Sequence, residues 1–432
     1  MAVGRENGGT ANGELKGDSH IRYIPRSYSS TDSDASALRL VLAVLPEWED
    51  ASSKVEFVRF TDGITNTLLK AVKRRPGLSK EEADKDAILL RAYGNGTDVI
   101  IDRHREAQNH ELLMRHGLAP ELLARFENGM MYRFVRGTVT QPEDLRKPTI
   151  YKAVARRLAQ WHATVPCIPG RTGHSRKNSK TEGFPAPSRT LGDAEFQWVL
   201  DGVAPGKPSP NVWTVMQKWI FALPTDTEEQ RAAQAELQQE LGTLVSELSQ
   251  RPGLGVNGLV FAHCDLLSGN VIVTPKSQAV HGDKSAETVT FIDYEYATPS
   301  PAAFDLANHF AEWGGFDCDH GVLPTRAQRR EFITEYVRAY FDMLPEKPID
   351  IDESAEIEKL FNEVDHYRGV PGFYWGVWAL IQATISEIDF DYASYAKTRL
   401  GEYWAWRGEV RGERQRSGKE IPLRERRWAQ EV

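Results

Sequence analysis

His263, Asp265 and Asn270 stand in the run Val260-Phe-Ala-His-Cys-Asp-Leu-Leu-Ser-Gly-Asn-Val-Ile-Val273, an H-x-D-x-x-x-x-N spacing between two apolar strands. A further acid, Asp293, closes the next apolar strand in Val289-Thr-Phe-Ile-Asp-Tyr-Glu295. This set suits the transfer of a phosphoryl group from a metal-bound nucleotide to a hydroxyl. That reaction needs an oriented acceptor, metal ions on the phosphates and cations that absorb developing charge, and little covalent help. Asp265 is the candidate for orienting the hydroxyl and accepting its proton. Asn270 and Asp293 offer the hard oxygen ligands that Mg²⁺ prefers. His263 belongs to the same catalytic loop and is expected to brace it by a hydrogen bond rather than to react.

Other residues could serve the same chemistry. The turn Asp62-Gly-Ile-Thr-Asn-Thr67 lies between two expected strands, and its small polar residues Gly63, Thr65 and Asn66 would let backbone N–H groups approach phosphate oxygens. It is not a G-x-x-x-x-G-K-[ST] loop. Arg91 sits among apolar neighbours in Ile88-Leu-Leu-Arg-Ala-Tyr93, either as a solvated strand residue or as a phosphate clamp, and Glu106 on the following helix could hold it by a bidentate pair. Asp305 and Glu312 are seven apart on one helical face, and fit either a cap and a surface charge or carboxylates lining a cleft for a small cation. Trp375 and Trp378 share a helical face, with Tyr395 further on. Such a stripe can be core packing or a wall that attracts an ammonium group.

The elements that must position these residues fall into two groups. Residues 1–19 are rich in Gly, Asn and Ser and are expected to be a disordered tail. An N-terminal lobe over 20–137 is β-rich, with an edge strand at 20–25, a helix at 35–45, strands at 55–60, 66–72 and 87–93, a polar loop at 73–86 and a helix at 102–116. A hairpin follows, joined at Asn128-Gly129. A second lobe over 138–407 is mostly helical around the small catalytic strands, with a surface loop at 166–190 and a polar helix at 227–250. The charged residues 408–432 read as an exposed helix or tail. The class expected is α+β, in the two-lobed protein-kinase-like layout, with a nucleotide between the lobes.

The 432 residues are enough for two packed lobes, and the 41% hydrophobic and 26% charged content is that of an ordinary globular protein. With a net charge of −8 and no strongly basic interior block, no nucleic-acid partner is expected. No apolar run approaches a membrane span, so no stable membrane insertion is expected. Three widely spaced cysteines fit neither a disulfide framework nor a zinc site. Together with a first segment that lacks the apolar core of a signal peptide, they suggest the reducing cytoplasm.

Several stretches together resemble the choline/ethanolamine kinases, and more closely their ethanolamine branch. They are Gly63-Ile-Thr-Asn66, Leu90-Arg-Ala-Tyr-Gly94 with Asp102-Arg103, Phe261-Ala-His-Cys-Asp-Leu-Leu-Ser-Gly-Asn270, Phe291-Ile-Asp-Tyr-Glu-Tyr296, Phe304-Asp-Leu-Ala-Asn-His-Phe-Ala-Glu-Trp313 and Trp375-Gly-Val-Trp378. The resemblance covers roughly residues 55–407 and is loose over 166–260. It implies the aminoglycoside phosphotransferase-like fold and phosphorylation of ethanolamine by ATP with Mg²⁺, the committed step toward phosphatidylethanolamine. It also implies Asp265 as base, Asn270 and Asp293 as magnesium ligands, and Arg91 with Glu106 at the nucleotide phosphates. Glu312, Trp375, Trp378 and Tyr395 would line the amino-alcohol pocket. Cys264 departs from the family, where Asn is commoner. The ethanolamine branch is favoured by residues 95–103 and 127–137, which are not expected to touch the amine. Choline or an aminoglycoside-type acceptor therefore stays open, and a homodimer is allowed.

Overall fold

The computed structural model describes the chain except for residues 1–20, 51, 53, 61–65, 95, 168–201, 276–286, 349 and 387. Gly63 and Thr65, the core of the expected phosphate turn, lie outside the described residues, as does most of the loop at 166–190.

The first lobe is a six-stranded sheet. Its strands are β1 (Arg22–Ile24), β2 (Lys54–Phe60), β3 (Asn66–Arg74), β4 (Ile88–Tyr93), β5 (Leu122–Phe126) and β6 (Gly129–Arg133), in the order β1-β5-β6-β4-β3-β2. β1 runs parallel to β5 at the edge, and the other pairings are antiparallel. Helix α1 (Ser33–Val44) buries Leu40 and Val41 in a cluster with Leu69, Ile88, Leu90 and Met131. The expected polar loop at 73–86 contains one helical turn, α2 (Lys80–Ala83), because Ser79 and Glu82 form a capping box. The Asn-Gly hairpin forms as expected. A Cβ on Gly129 would lie 2.1 Å from the Arg91 carbonyl, so only glycine lets β6 close on β4 where Arg91 is mounted.

Helix α3 (Arg103–Arg115) starts at Asp102, whose carboxylate accepts from the His104 and Arg105 amides, and its first turn carries Arg103 and Glu106.

The second lobe is built on α4 (Pro148–Thr164), α5 (Val212–Phe221) and α6 (Glu228–Leu248). The motif strands follow. β8 (Val260–Ala262) pairs with β11 (Thr298–Ser300), while β9 (Val271–Val273) sits between β7 (Thr138–Val139) and β10 (Val289–Phe291). His263, Asp265 and Asn270 thus sit on a loop between two separate small sheets. Helices α7 (Ala302–Ala311), α8 (Arg326–Met343), α9 (Glu353–Tyr367), α10 (Val370–Ile385) and α11 (Tyr392–Val410) complete the core.

The segment 408–432 is not a free tail. After a short helix α12 (Glu413–Ser417), helix α13 (Leu423–Ala429) places Trp428 in the main core. Arg329 donates to the Trp428 carbonyl, and the Arg326 amide donates to the Gln430 carbonyl. Burial of one large aromatic outweighs the charged composition around it.

Candidate active site

Three residues of α7, Asp305, Asn308 and His309, hold the backbone of the loop that carries Asp265. Asp305, fully buried, accepts from the His263 amide (2.9 Å), the Cys264 amide (2.8 Å) and His162 Nε2 (3.0 Å). Burial pushes the Asp305 carboxyl up, but the His162 hydrogen bond and nearby His263 outweigh it and hold it below the usual range. Asn308 donates to the Cys264 carbonyl (2.9 Å), and His309 Nδ1 donates to the Leu266 carbonyl (2.8 Å). These bonds hold Cys264 at φ +62°, a conformation costly for a residue with a side chain. Asp305 therefore does not face a substrate ammonium: backbone amides and a histidine take up its carboxylate. His263 is also fully buried. Its Nε2 meets the Ile292 carbonyl at 3.1 Å, and burial lowers its pKa to about 4, so it is a neutral brace.

Asp265 and Asn270 meet within this loop. The Asn270 carboxamide nitrogen donates to the Asp265 carbonyl (2.8 Å) and to Asp265 Oδ2 (3.1 Å). Burial raises the Asp265 carboxyl well above the usual range, and the charges of Asp293, Glu312 and Glu295 add to it. Asp293 and Glu295 come from one segment and Glu312 from another.

Arg91 reaches these acids from the first lobe. Its Nη1 donates to Asp293 Oδ1 (2.8 Å) and its Nη2 to Glu295. Glu106 is a looser partner, with Nε 3.4 Å from Oε1, and does not form the expected bidentate pair. The fork of the guanidinium is already directed at Asp293 and Glu295. Arg103 shares both acids, at 3.0 Å to Glu106 and 3.1 Å to Glu295, and its guanidinium lies 4.2 Å over the Tyr93 ring. Asn66 also reaches Glu295, at 3.2 Å. Glu295 and Arg103 are not among the residues expected from sequence. Their signal is position, two residues after Asp293 and directly after Asp102 in the quoted motifs.

The aromatic residues of α10 are tied to their neighbours by their indole N–H groups. Trp375 Nε1 donates to Asn308 Oδ1 (2.8 Å) and Trp378 Nε1 to the Tyr296 hydroxyl (2.8 Å). The two indoles are perpendicular at 5.4 Å, and Tyr296 meets Trp375 edge-on at 5.6 Å. Burial, then the charges of Glu295 and Asp265, raise the Tyr296 phenol. Tyr395 packs with Phe390 (5.7 Å) and Phe316 (6.1 Å). Glu312 accepts from Arg399 Nη2 at 3.0 Å, and Arg399 also pairs with Glu402 at 3.4 Å. Burial raises the Glu312 carboxyl, with Arg399 opposing. Glu312 therefore arrives with a buried cation that its own segment does not announce.

A family model described as choline/ethanolamine kinase matches residues 57–404. The chain belongs to that family. A probable ethanolamine kinase of Nematostella vectensis is 32% identical over 385 residues, spanning 89% of this chain and 96% of the relative. Ethanolamine kinase 1 of Mus musculus is 31% identical, spanning 87% and 89%. A solved ethanolamine kinase of Plasmodium vivax superposes with a TM-score of 0.60 at 24% identity, covering 85% of this chain and 87% of that one. A choline kinase of Cryptosporidium parvum gives 0.56 at 19%, covering 88% and 97%. The fold is the two-lobed kinase-like one.

For a choline/ethanolamine kinase family member, the donor set fits a hard dication. The Asp293 side chain is 30% exposed while that of Glu295 is 3% exposed, so Asp293 is the acid open to an ion. Asn270 has its nitrogen committed to Asp265, which leaves its oxygen as the group able to ligate. Among the described residues, no three His, Cys, Asp or Glu side chains form a metal cage. Mg²⁺ requires none, since it keeps waters and takes one or two protein ligands beside phosphate oxygens.

Proposed function

We propose that this chain phosphorylates the hydroxyl of ethanolamine with ATP, giving phosphoethanolamine and ADP, the committed step of phosphatidylethanolamine synthesis. The observation that carries the reading is a carboxylate held by a braced loop, with Arg91 reaching from the first lobe to the acids Asp293 and Glu295 of the second. The match to ethanolamine kinases over most of the chain supports the choice of substrate.

In this reading Asp265 accepts the hydroxyl proton as the substrate oxygen bonds to the terminal phosphorus and the bridging oxygen leaves with ADP. Its raised affinity for a proton suits a general base better than an ordinary surface carboxylate. Mg²⁺ bound through Asp293 and Asn270 would neutralise charge on the phosphates. Arg91, set against Asp293 and Glu295, brings a fixed cation to the same place. Glu295, which Arg103 shares, holds Arg91 in position, with Glu106 behind it. Trp375 and Trp378 have both indole N–H groups taken up within the protein, so they offer π faces to the ammonium, and Glu312 adds negative charge.

Choline is the second reading, because a trimethylammonium needs only aromatic walls and diffuse negative charge. The deciding experiment is kcat/KM for ethanolamine, choline and an aminoglycoside with saturating ATP and Mg²⁺. Preference for choline would overturn the assignment. Three free cysteines, and the lack of any described helix long and apolar enough to cross a membrane, support work in the cytoplasm.

A further inference from the structure

A second concave site lies far along the chain from this chemistry. A groove of about 740 Å³ opens between the start of α8, the end of α9 and the C-terminal segment. Four arginines line it: Arg326, Arg368, Arg426 and Arg427. Its carboxylates are already engaged. Glu425 takes Arg368 (2.9 Å) and Arg424 (3.1 Å), Asp365 accepts from Trp428 Nε1 (2.7 Å), and Glu409 lies 3.5 Å from Arg414. The cations are less well matched. Among the described residues neither Arg426 nor Arg427 has a carboxylate within 4 Å, and Arg427 donates only to the Leu323 carbonyl and to Gln430. Arg326 has Glu431 no nearer than 3.7 Å.

The wall behind the groove carries the same imbalance. Arg329, 1% exposed, packs on the Trp428 ring at 3.8 Å, and Asp365 is 3.8 Å away. Burial lowers its pKa to about 9, against the pull of Asp365, and the charges of Arg326, Arg368 and Arg424 lower it further. A concave surface with guanidiniums in excess, rimmed by the exposed side chains of Ile421 and Leu423, matches a compact dianion with a small organic body.

We infer that this groove binds a phosphomonoester through Arg326, Arg426 and Arg427. The phosphate can belong to a free metabolite, such as the product class proposed above, or to a lipid headgroup, and the two sources share the chemistry.

The test is calorimetric titration of the full chain with inorganic phosphate and with phosphoethanolamine, and co-sedimentation with vesicles containing phosphatidic acid or phosphatidylglycerol. Arg426→Glu is the variant, because Arg426 is exposed and, among the described residues, no side-chain bond depends on it; Arg326→Gln is the second. Each should weaken the phosphomonoester by about tenfold or more, with KM for ATP and ethanolamine unchanged. Tighter binding of phosphoethanolamine identifies a metabolite site, and tighter binding of phosphatidic acid a headgroup site. Equal affinity of wild type and both variants for every phosphomonoester tested, or no binding of phosphate, phosphoethanolamine or phosphatidic acid by the wild type, would overturn the inference.

Discussion

The Asn270 carboxamide nitrogen lies 2.8 Å from the carbonyl and 3.1 Å from Oδ2 of Asp265, so one side chain fixes both the backbone and the carboxylate of the proposed base. This explains why the two are five residues apart: the loop returns just far enough for the amide to close on the acid.

Asp265 carries a stability cost that its chemistry requires. Its folded pKa is raised, so the folded chain binds more protons than the unfolded one across that window, and stability falls as pH rises from the unfolded value towards the folded one. Asp265→Asn removes the ionisation. It should lose about 10²–10⁴-fold in kcat while melting above wild type at pH 8, by about 2 °C, with a smaller gap at pH 5. Thermal melts at both pH values, beside steady-state rates, check both halves. A variant that melts lower at pH 8 would contradict the cost.

The acid limb of the rate profile follows from the same cluster. Burial, Asp293, Glu312 and Glu295 all favour the protonated Asp265. Activity should therefore rise with pH through a value above the ordinary carboxylate range. Glu312→Gln removes one of the negative neighbours and leaves Arg399 less compensated, and both effects favour the ionised base. The limb should move to lower pH even as KM for the amine rises. A profile that falls in height without moving would detach Glu312 from Asp265.

The pairing of Asp265 with Asn270 is legible in the sequence, because H-x-D-x-x-x-x-N is local: the loop needs only its own spacing and flanking strands. Arg91 was legible as a lone cation in an apolar strand. Its partners were not, since Asp293 and Glu295 lie about two hundred residues away and no helical or strand period links them. The seven-residue spacing of Asp305 and Glu312 suggests a common face, yet α7 ends at Ala311, and spacing alone cannot show that backbone amides of another segment approach Asp305. The segment after residue 407 misled for a related reason. Its charges dominate its composition, whereas Trp428 determines where it packs.

Glu295 should matter more than Glu106 to the first lobe's cations. It accepts from Arg91, Arg103 and Asn66, with its side chain 3% exposed. Glu295→Gln leaves two buried guanidiniums short of charge and should cost about 3–5 kcal/mol. Glu106→Gln removes only the 3.4 Å contact to Arg91 and the Arg103 pair, and should cost less. Denaturant unfolding of both variants ranks them, and the reverse order would return Arg91 to the helix acid.

The two tryptophans should separate kinetically, because they donate to different places. Trp378→Phe loses only the bond to the Tyr296 hydroxyl and keeps an aromatic face, so its main effect should be a higher KM for the amine. Trp375→Phe frees Asn308, whose other end holds the Cys264 carbonyl one residue before Asp265. That loss passes into the catalytic loop, so kcat should fall as well, by about five- to tenfold for one buried hydrogen bond. Steady-state kinetics on both variants, with Asn308→Ala as the reference that breaks the same link from its middle, provide the comparison. If Trp375→Phe changed KM alone while Asn308→Ala lowered kcat, the indole would be a wall of the pocket and not a support of the loop.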